Sequence, residues 1–449
     1  MTLPNYFIAD LPAGATIAPT MLTEACQTLK RNREQYLAHR STEQILRLLA
    51  RVADNWLDAE YPFRKLALSE GPAQTRFGRA TIERGLDGFF RQLTVENLRA
   101  LLAQELGEVT RLDQFSTPAG EPRAALATGP ELLVHIAAGN IPNPTWTSLV
   151  LGWLTRSAQF VKCGTGASYL PRLFAHSLYE ADHKLGCCLE LAEWRGGIPA
   201  LEDALFAEAD CVTATGSDET LSALRSRLPV STRFLGYGHR VSFGYVAADV
   251  LFGRSAKQIV AAAAADVVAW NQLGCLSPHV FYVQHGGEVG PEQFAELLAA
   301  ELERCEAGEP RGEVPPEVAA AIASRRAIYE VRAAHSLETQ LWQSQSSTAW
   351  TVVCEGSPRF AASCLHRFIY VKKVADLTEA LHGADAVRGQ VSTVGLAGGE
   401  RAAELALQLA RWGVTRVCPV GQMQNPPLSW RHDGRPSLGD LVRWTDLEK

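Results

Sequence analysis

The stretch Leu132-Leu133-Val134-His135-Ile136-Ala137-Ala138-Gly139-Asn140-Ile141-Pro142 decides the fold. It is a short apolar run that stops at a glycine and an asparagine. Trp146, Leu149, Val150, Trp153 and Leu154 then recur at helical spacing. Residues 159–162 resume as a strand, 163–168 as a loop and 170–185 as a helix. Residues 188–193 and 211–215 read as two further short strands. Strands alternating with helices of this length imply parallel βαβ units. Residues from about 130 to 235 therefore read as half of a doubly wound, nucleotide-binding lobe.

Toward the C-terminus a second alternating region begins near Arg240. Its strand at 241–246 is followed by an alanine-rich helix over 255–270, which Asn271-Gln272-Leu273-Gly274-Cys275 closes, and then by a strand at 280–283. Pro291 opens a helix carrying Phe294, Leu297, Leu298 and Leu302, at a position where proline is tolerated. Residues 308–316 are rich in Gly, Pro and Glu and read as an exposed loop. Asp433-Gly434 reads as a hairpin turn. Toward the N-terminus, residues 20–110 read as helical, with Ile45, Leu48, Leu49 and Val52 on one face. Residues 109–115 and 123–128 read as the two strands of a hairpin.

At 449 residues the chain is too long for one ordinary core and suits two or three lobes. Hydrophobic residues at 47% and charged residues at 20% fit a globular protein. A net charge of -6 leaves no electrostatic footprint for nucleic acid or an anionic membrane, so neither is expected as a partner. No apolar stretch is long enough to span a bilayer. Residues 1–10 lack a basic segment followed by an apolar one, so a cytoplasmic location is expected. The ten cysteines form no CxxC pair and no cluster with zinc spacing. Reduced thiols and no metal site are expected.

Which thiol could react is a local question. Cys275 lies in Gly274-Cys275-Leu276-Ser277-Pro278, between a helix and a strand, where a tight turn can present a side chain and a backbone N–H together. Taken alone, a buried cysteine at a helix end is the better reading. Asn140 follows an apolar strand, where its amide could reach a ligand crevice and stabilise an oxyanion, although a turn or N-cap asparagine explains it as well. Lys162 ends the next strand and could bond a ribose or phosphate, or simply be solvated. Thr215-Gly216-Ser217 precedes a helix and could admit a pyrophosphate, or form a plain cap. No GxGxxG fingerprint is present. His432 and Asp433 are adjacent, and adjacent side chains usually diverge, so a structural role is the better reading.

Order and spacing say more than any one residue. The matches are His135-Ile136-Ala137-Ala138-Gly139-Asn140-Ile141-Pro142, Phe160-Val161-Lys162-Cys163-Gly164, Thr213-Ala214-Thr215-Gly216-Ser217 and Asn271-Gln272-Leu273-Gly274-Cys275-Leu276-Ser277-Pro278. The tail from Arg416-Val417-Cys418-Pro419 to Trp430-Arg431-His432-Asp433-Gly434-Arg435-Pro436 adds to them. With these the chain resembles the aldehyde dehydrogenase superfamily and, within it, the LuxC-type acyl-CoA reductases. The resemblance implies an α/β fold of two Rossmann-like three-layer lobes with an oligomerisation flap. It implies a helical N-terminal region plus a dinucleotide-binding domain over 1–238, with a flap hairpin near 109–128. A catalytic cysteine domain over 239–410 would follow, then a C-terminal segment over 411–449 that returns to the cofactor domain.

The resemblance also implies roles. Cys275 matches the nucleophile and Asn140 the oxyanion donor, with Gly139 and Ile141 where the superfamily has tryptophan and phenylalanine. Lys162 matches the lysine that holds the adenosine ribose, and Gly216 and Ser217, after Thr215, match the helix start that meets the pyrophosphate. Two departures carry information. Arg233-Phe234-Leu235-Gly236-Tyr237-Gly238 stands where hydrolytic members have a water-activating glutamate, and it holds no carboxylate. Thr165 stands where NAD-preferring members often have a glutamate, so NADPH is expected, with NADH as the alternative. The implied reaction is reduction of acyl-CoA or an acyl-carrier thioester to an aldehyde through acylated Cys275. A CoA-acylating aldehyde dehydrogenase, or a reductase fed by a partner acyl-protein synthetase, are the alternatives. A homo-oligomer is implied, joined through the flap and the tail.

Overall fold

The computed structural model describes residues 3–12, 14–117 and 123–448. The chain divides into two compact units, one of residues 1–75, 86–238 and 427–449, the other of residues 76–85 and 239–426. Six strands form in the first unit before residue 239: β1 (Ala124–Thr128), β2 (Leu132–Ile136), β3 (Ala158–Cys163), β4 (Leu189–Glu193), β5 (Cys211–Thr215) and β6 (Arg233–Tyr237). The second unit holds β7 (Val241–Val246), β8 (Pro278–Gln284), β9 (Thr339–Gln343), β10 (Thr351–Glu355), β11 (Phe368–Val374), β12 (Val391–Ala397) and β13 (Arg416–Pro419). The last strand, β14 (Arg443–Leu447), belongs to the first unit again.

In the first unit β4-β3-β2-β5-β6 form a parallel sheet. The chain steps outward from β2 through β3 to β4, then crosses back to β5, so the strand order reverses between β2 and β5. Leu132, Val134, Phe160 and Val212 point to one face and bury Leu22 and Leu29 of helix Pro19–Tyr36 with Leu201 and Leu205 of helix Pro199–Glu208. Fully burying each such side chain contributes roughly 1.5–3 kcal/mol. Helices Asn143–Leu154 and Tyr169–Ala181 cover the opposite face, giving three layers. There an aromatic cluster of Trp56, Phe89, Phe90, Trp146 and Phe174 joins them to the N-terminal helices.

The second unit repeats the plan on a seven-stranded sheet ordered β13-β12-β7-β8-β11-β10-β9, in which β9 alone runs antiparallel to its neighbour. Helices Gly253–Val268 and Pro291–Gly308 supply Val260, Ala263, Phe294 and Leu298 to one face. Helices Pro316–His335 and Ala402–Trp412 supply Ile322, Tyr329, Leu405 and Leu409 to the other.

Four expectations need correction. The first hairpin strand does not form: Val109–Leu112 is a 3-10 turn. Gly107, with φ +78°, ends the preceding helix, and Arg111 folds back to donate to the Leu106 carbonyl at 2.9 Å. Among the described residues Ser116 alone bridges to Ala125; β1 pairs antiparallel with β14 instead, and residues 118–122 lie outside the described residues. Residues 308–316 are not a uniformly exposed loop, because Glu309 and Arg311 are buried. Glu309 accepts from Thr81, and Arg311 donates to the carbonyls of Thr348 and His366. Asp433-Gly434 closes a 3-10 turn, with Asp433 at φ +53°, and joins no strands. Finally, residues 411–426 carry β13 and stay with the second unit, so only 427–449 return to the first.

Candidate active site

Helix Gly253–Val268 runs into an unusual turn. Trp270, Asn271 and Gln272 have φ of +48°, +52° and +65°, three successive non-glycine residues in the left-handed region. Each costs roughly 1–2 kcal/mol there, so the surroundings must hold them. They do so with buried partners. The Trp270 ring packs edge-on to Phe77 at 5.1 Å and lies over Gly85, where a Cβ would meet Trp270 Cζ2 at 2.0 Å. Asn271 Nδ2 donates to the Arg311 carbonyl at 2.7 Å. Gln272 Nε2 donates to the carbonyls of Pro278 at 2.7 Å and Phe368 at 2.9 Å.

The turn delivers Cys275, half-buried, at the amino end of β8. Two hydrogen bonds fix the peptides on either side of it. The Ser277 N–H donates to the Gly274 carbonyl at 3.0 Å, and the Ser242 hydroxyl donates to the Cys275 carbonyl at 2.8 Å. A trans peptide points its N–H opposite its carbonyl. The Cys275 N–H is therefore directed away from Ser277. Gln424 anchors the far end of the turn through the Ser277 hydroxyl.

Burial works against ionisation at most of the other thiols, the half-buried Cys305 and Cys364 included. Burial pushes Cys26, Cys163, Cys211 and Cys354 up to about 12 and Cys418 up to about 11. Cys187 is lowered by its hydrogen bond with Cys188, but its thiol bonds the Lys184 carbonyl at 3.1 Å at a helix end.

In the first unit Asn140, Lys162 and Thr215-Gly216-Ser217 stand at the carboxyl ends of β2, β3 and β5; β2 and β5 flank the reversal of strand order, and β3 lies next to β2. In open α/β sheets that is where ligands bind. Asn140 is exposed. Lys162 is buried, its ammonium 5.7 Å from the centre of the Trp194 ring, and burial lowers its pKa against the pull of Glu202, Cys163 and Glu193. Thr165 is exposed on a turn whose Gly166 adopts φ +74° and donates its N–H to Glu193 Oε1 at 2.8 Å. Gly139 and Gly164 face each other there: a Cβ on Gly164 would sit 3.6 Å from Gly139 Cα. This glycine-lined edge with a lysine is suited to a nucleotide. Ser217 caps helix Asp218–Arg225 by accepting the Thr220 N–H at 3.2 Å, and Asp218 and Glu219 occupy the first turn of that helix.

Some prominent residues are structural. His135 bonds Thr213 at 2.7 Å and Gln159 at 2.9 Å, and burial holds it down at about 4. The His432 ring stacks on Tyr237 with centroids 4.3 Å apart, and its Nε2 is 3.9 Å from Asp433. Other residues support the two turns. Ser242 and Gln272 hold the cysteine turn, and Glu193 faces the loop after Lys162. Ser242 is detectable as the one serine in the run Val241–Val246, but nothing in that run says what it holds. Among the described residues no helix is long and apolar enough to cross a membrane, and no cluster of three His, Cys, Asp or Glu side chains could bind a metal.

Comparison with known proteins bears on the family and the fold. The family described as Acyl-CoA reductase (LuxC) matches residues 37–444. A long-chain acyl-protein thioester reductase of Aliivibrio fischeri is 26% identical over 421 residues, covering 90% of this chain and 82% of that protein. Long-chain acyl-protein thioester reductase 2 of Photobacterium leiognathi is 23% identical, covering 70% of this chain and 64% of that one. Among solved structures, an NAD-dependent benzaldehyde dehydrogenase from Corynebacterium glutamicum superposes with a TM-score of 0.71 at 14% identity, over 96% of this chain and 91% of that one. A putative aldehyde dehydrogenase from Anabaena variabilis gives 0.69 at 15% identity, over 96% and 93%. The fold is that of the aldehyde dehydrogenases.

Proposed function

This chain belongs to the LuxC family of acyl-CoA reductases, and on that premise we propose that it reduces an acyl thioester to an aldehyde with Cys275 as the nucleophile. The observation that carries the reading is the strained, buried and multiply bonded turn that ends in a half-buried thiol. Such strain persists only where its surroundings over-determine it, and it clusters at functional sites.

The Cys275 thiolate attacks the thioester carbonyl, forming a new C–S bond while the carbonyl electron pair moves onto oxygen. The Cys275 N–H and the Asn140 amide are assigned to that oxyanion; loss of one such donor costs roughly 2.7–4 kcal/mol of barrier. Collapse breaks the original C–S bond, releases CoA or a carrier thiol and leaves Cys275 acylated. A nicotinamide cofactor, when bound, supplies the hydride that brings the acyl group to the aldehyde level. Cys275 then leaves as thiolate and frees the aldehyde. Residues 233–238 provide no carboxylate to activate water, which favours reduction of the acyl-enzyme over its hydrolysis.

Lys162, Thr165, Thr215, Gly216 and Ser217 are assigned to the cofactor, which we take as NADPH. A second reading, NADH, is favoured by one observation: the Glu193 carboxylate stands at the Thr165 turn and would repel a 2′-phosphate. The acyl donor is acyl-CoA or an acyl protein; the curated relatives, acyl-protein thioester reductases, favour the latter and with it a partner synthetase. β14 is exposed along its length and forms with β1 a two-stranded ribbon, a surface suited to joining protomers.

Incubation with an acyl-CoA and NADPH is expected to oxidise the cofactor and yield aldehyde. Cys275→Ala should lower the rate by at least about a thousandfold while leaving cofactor binding unchanged by fluorescence titration. An alanine variant that kept its rate would remove Cys275 from the mechanism. Oxidation of aldehyde with CoA and NADP running faster than reduction would instead favour the acylating direction.

A further inference from the structure

Ser242 is fully buried near the start of β7, and its hydroxyl is committed twice. It donates to the Cys275 carbonyl at 2.8 Å and accepts the Thr393 N–H at 3.2 Å. The strand around it is irregular on both sides. The ladder with β8 shifts register between Ser242 and Phe243, and the ladder with β12 shifts between Val391 and Thr393. Such irregularities re-aim a side chain, and they recur beside active sites. Here the re-aimed side chain reaches across to the one carbonyl that sets the rotation of the peptide after Cys275. A buried hydroxyl with both its donor and its acceptor engaged holds its neighbour in one orientation.

We propose that Ser242 is a positioning residue for Cys275, holding the thiol and its flanking peptides in the orientation that attack on a thioester requires. The proposal rests on Cys275 being the nucleophile. Ser242 touches neither substrate nor cofactor in this account; it acts through the Cys275 backbone. Its hydrogen bond completes what the Ser277-to-Gly274 bond begins, so that both peptides flanking the sulfur are tied by their carbonyls. Releasing the Cys275 carbonyl frees the peptide after Cys275 to rotate, and the Cα that carries both the thiol and the N–H assigned to the oxyanion shifts with it; displacements of about 1 Å in such constellations cost on the order of a hundredfold in rate.

The test compares two reactions of the same sulfur in the full-length protein. Acylation by an acyl-CoA, followed by rapid quench and intact-protein mass spectrometry, needs the oxyanion to be stabilised. Alkylation by iodoacetamide displaces iodide and forms no oxyanion. In Ser242→Ala, acylation should slow by roughly 10- to 100-fold, with KM for acyl-CoA within about twofold of the parent under that same logic, while alkylation stays near the parent rate. Equal slowing of both reactions, or no slowing of acylation, would overturn the proposal. If the alanine variant fails to fold, Ser242→Cys keeps the volume, weakens the donor and gives the same ratio to read. Cys275→Ala is the control: an acyl adduct that persists in it refutes the nucleophile assignment itself, whatever Ser242 does.

Discussion

The turn before β8 and the turn after β3 solve the same local problem, a chain that must enter the left-handed region, with opposite means. After β3 the left-handed residue is Gly166, which has no Cβ to strain, and its N–H is satisfied by Glu193. Before β8 the left-handed residues are Trp270, Asn271 and Gln272, all with full side chains and all buried. A glycine turn costs little and constrains little, which suits the proposed role of this edge in taking up and releasing a cofactor. A turn built from large residues is held only by the contacts those residues make. It is therefore rigid, and rigidity is what the role proposed for Cys275, a nucleophile aimed at one carbon, needs. A second turn of the same kind, Leu365-His366-Arg367 with φ of +59°, +53° and +66°, lies against the first. Gln272 bonds the carbonyl of Phe368, and Arg311 links Asn271 to His366.

The sharpest way to break the contrast is to remove the amide that holds the cysteine turn. Gln272→Ala leaves the buried carbonyls of Pro278 and Phe368 without a donor, at roughly 1–3 kcal/mol each, and keeps the unfavourable φ. We expect a stability loss of about 2–4 kcal/mol on that basis, measurable by denaturant unfolding, together with a fall in turnover larger than the stability loss alone produces at temperatures where the variant remains folded. A variant of parent stability and turnover would show that the strain is borne elsewhere.

At the other turn the change expected is in choice of cofactor, not in stability. Glu193→Gln keeps an oxygen that can accept from Gly166 and removes the negative charge. It should lower KM for NADPH by roughly three- to tenfold, the equivalent of up to about 1.4 kcal/mol, and change KM for NADH little. Equal effects on the two cofactors would place the 2′ position of the ribose away from Glu193.

The same asymmetry governs what could be read from the sequence. The central strands of the first unit are mostly apolar, Leu132–Ile136 broken only by His135 and Ala158–Cys163 by Gln159 and Lys162, and their burial on both faces writes itself into composition. Glycines marked the cofactor-side turn. Nothing in Trp270-Asn271-Gln272 marks a left-handed turn, because its stability comes from Phe77, Gly85, Arg311 and Phe368, all distant in the chain. Residues 308–316 looked exposed for the same reason: the partners that bury Glu309 and Arg311 come from residues 81, 348 and 366. Val109–Leu112 has strand-like residues but sits directly after a glycine helix stop, and Arg111 ties it back to that helix. Cys275 itself was legible only through family resemblance; its local sequence favoured a structural thiol.

The smallest effect on turnover is expected from a carboxylate on the same strand as Glu193 but three residues earlier. Glu190 accepts the N–H groups of Ile8 at 2.7 Å and Leu191 at 2.9 Å, and burial raises its pKa from 4.5 to about 8, with Asp10 adding to the rise. The folded protein thus binds a proton that the unfolded chain gives up above about pH 4.5. Its contribution to stability is complete below that pH and is lost as pH rises through about 8. Glu190→Gln removes the titration and keeps an oxygen for both N–H groups. Thermal unfolding of variant and parent should therefore coincide near pH 4 and diverge at pH 8 in favour of the variant, at roughly 2–4 °C for each kcal/mol, with turnover unchanged. Divergence toward acid would mean that the carboxylate is held ionised by its two N–H donors. Unequal turnover would mean that β4 carries strain from its buried end to the cofactor edge, and the two turns could no longer be treated as independent solutions.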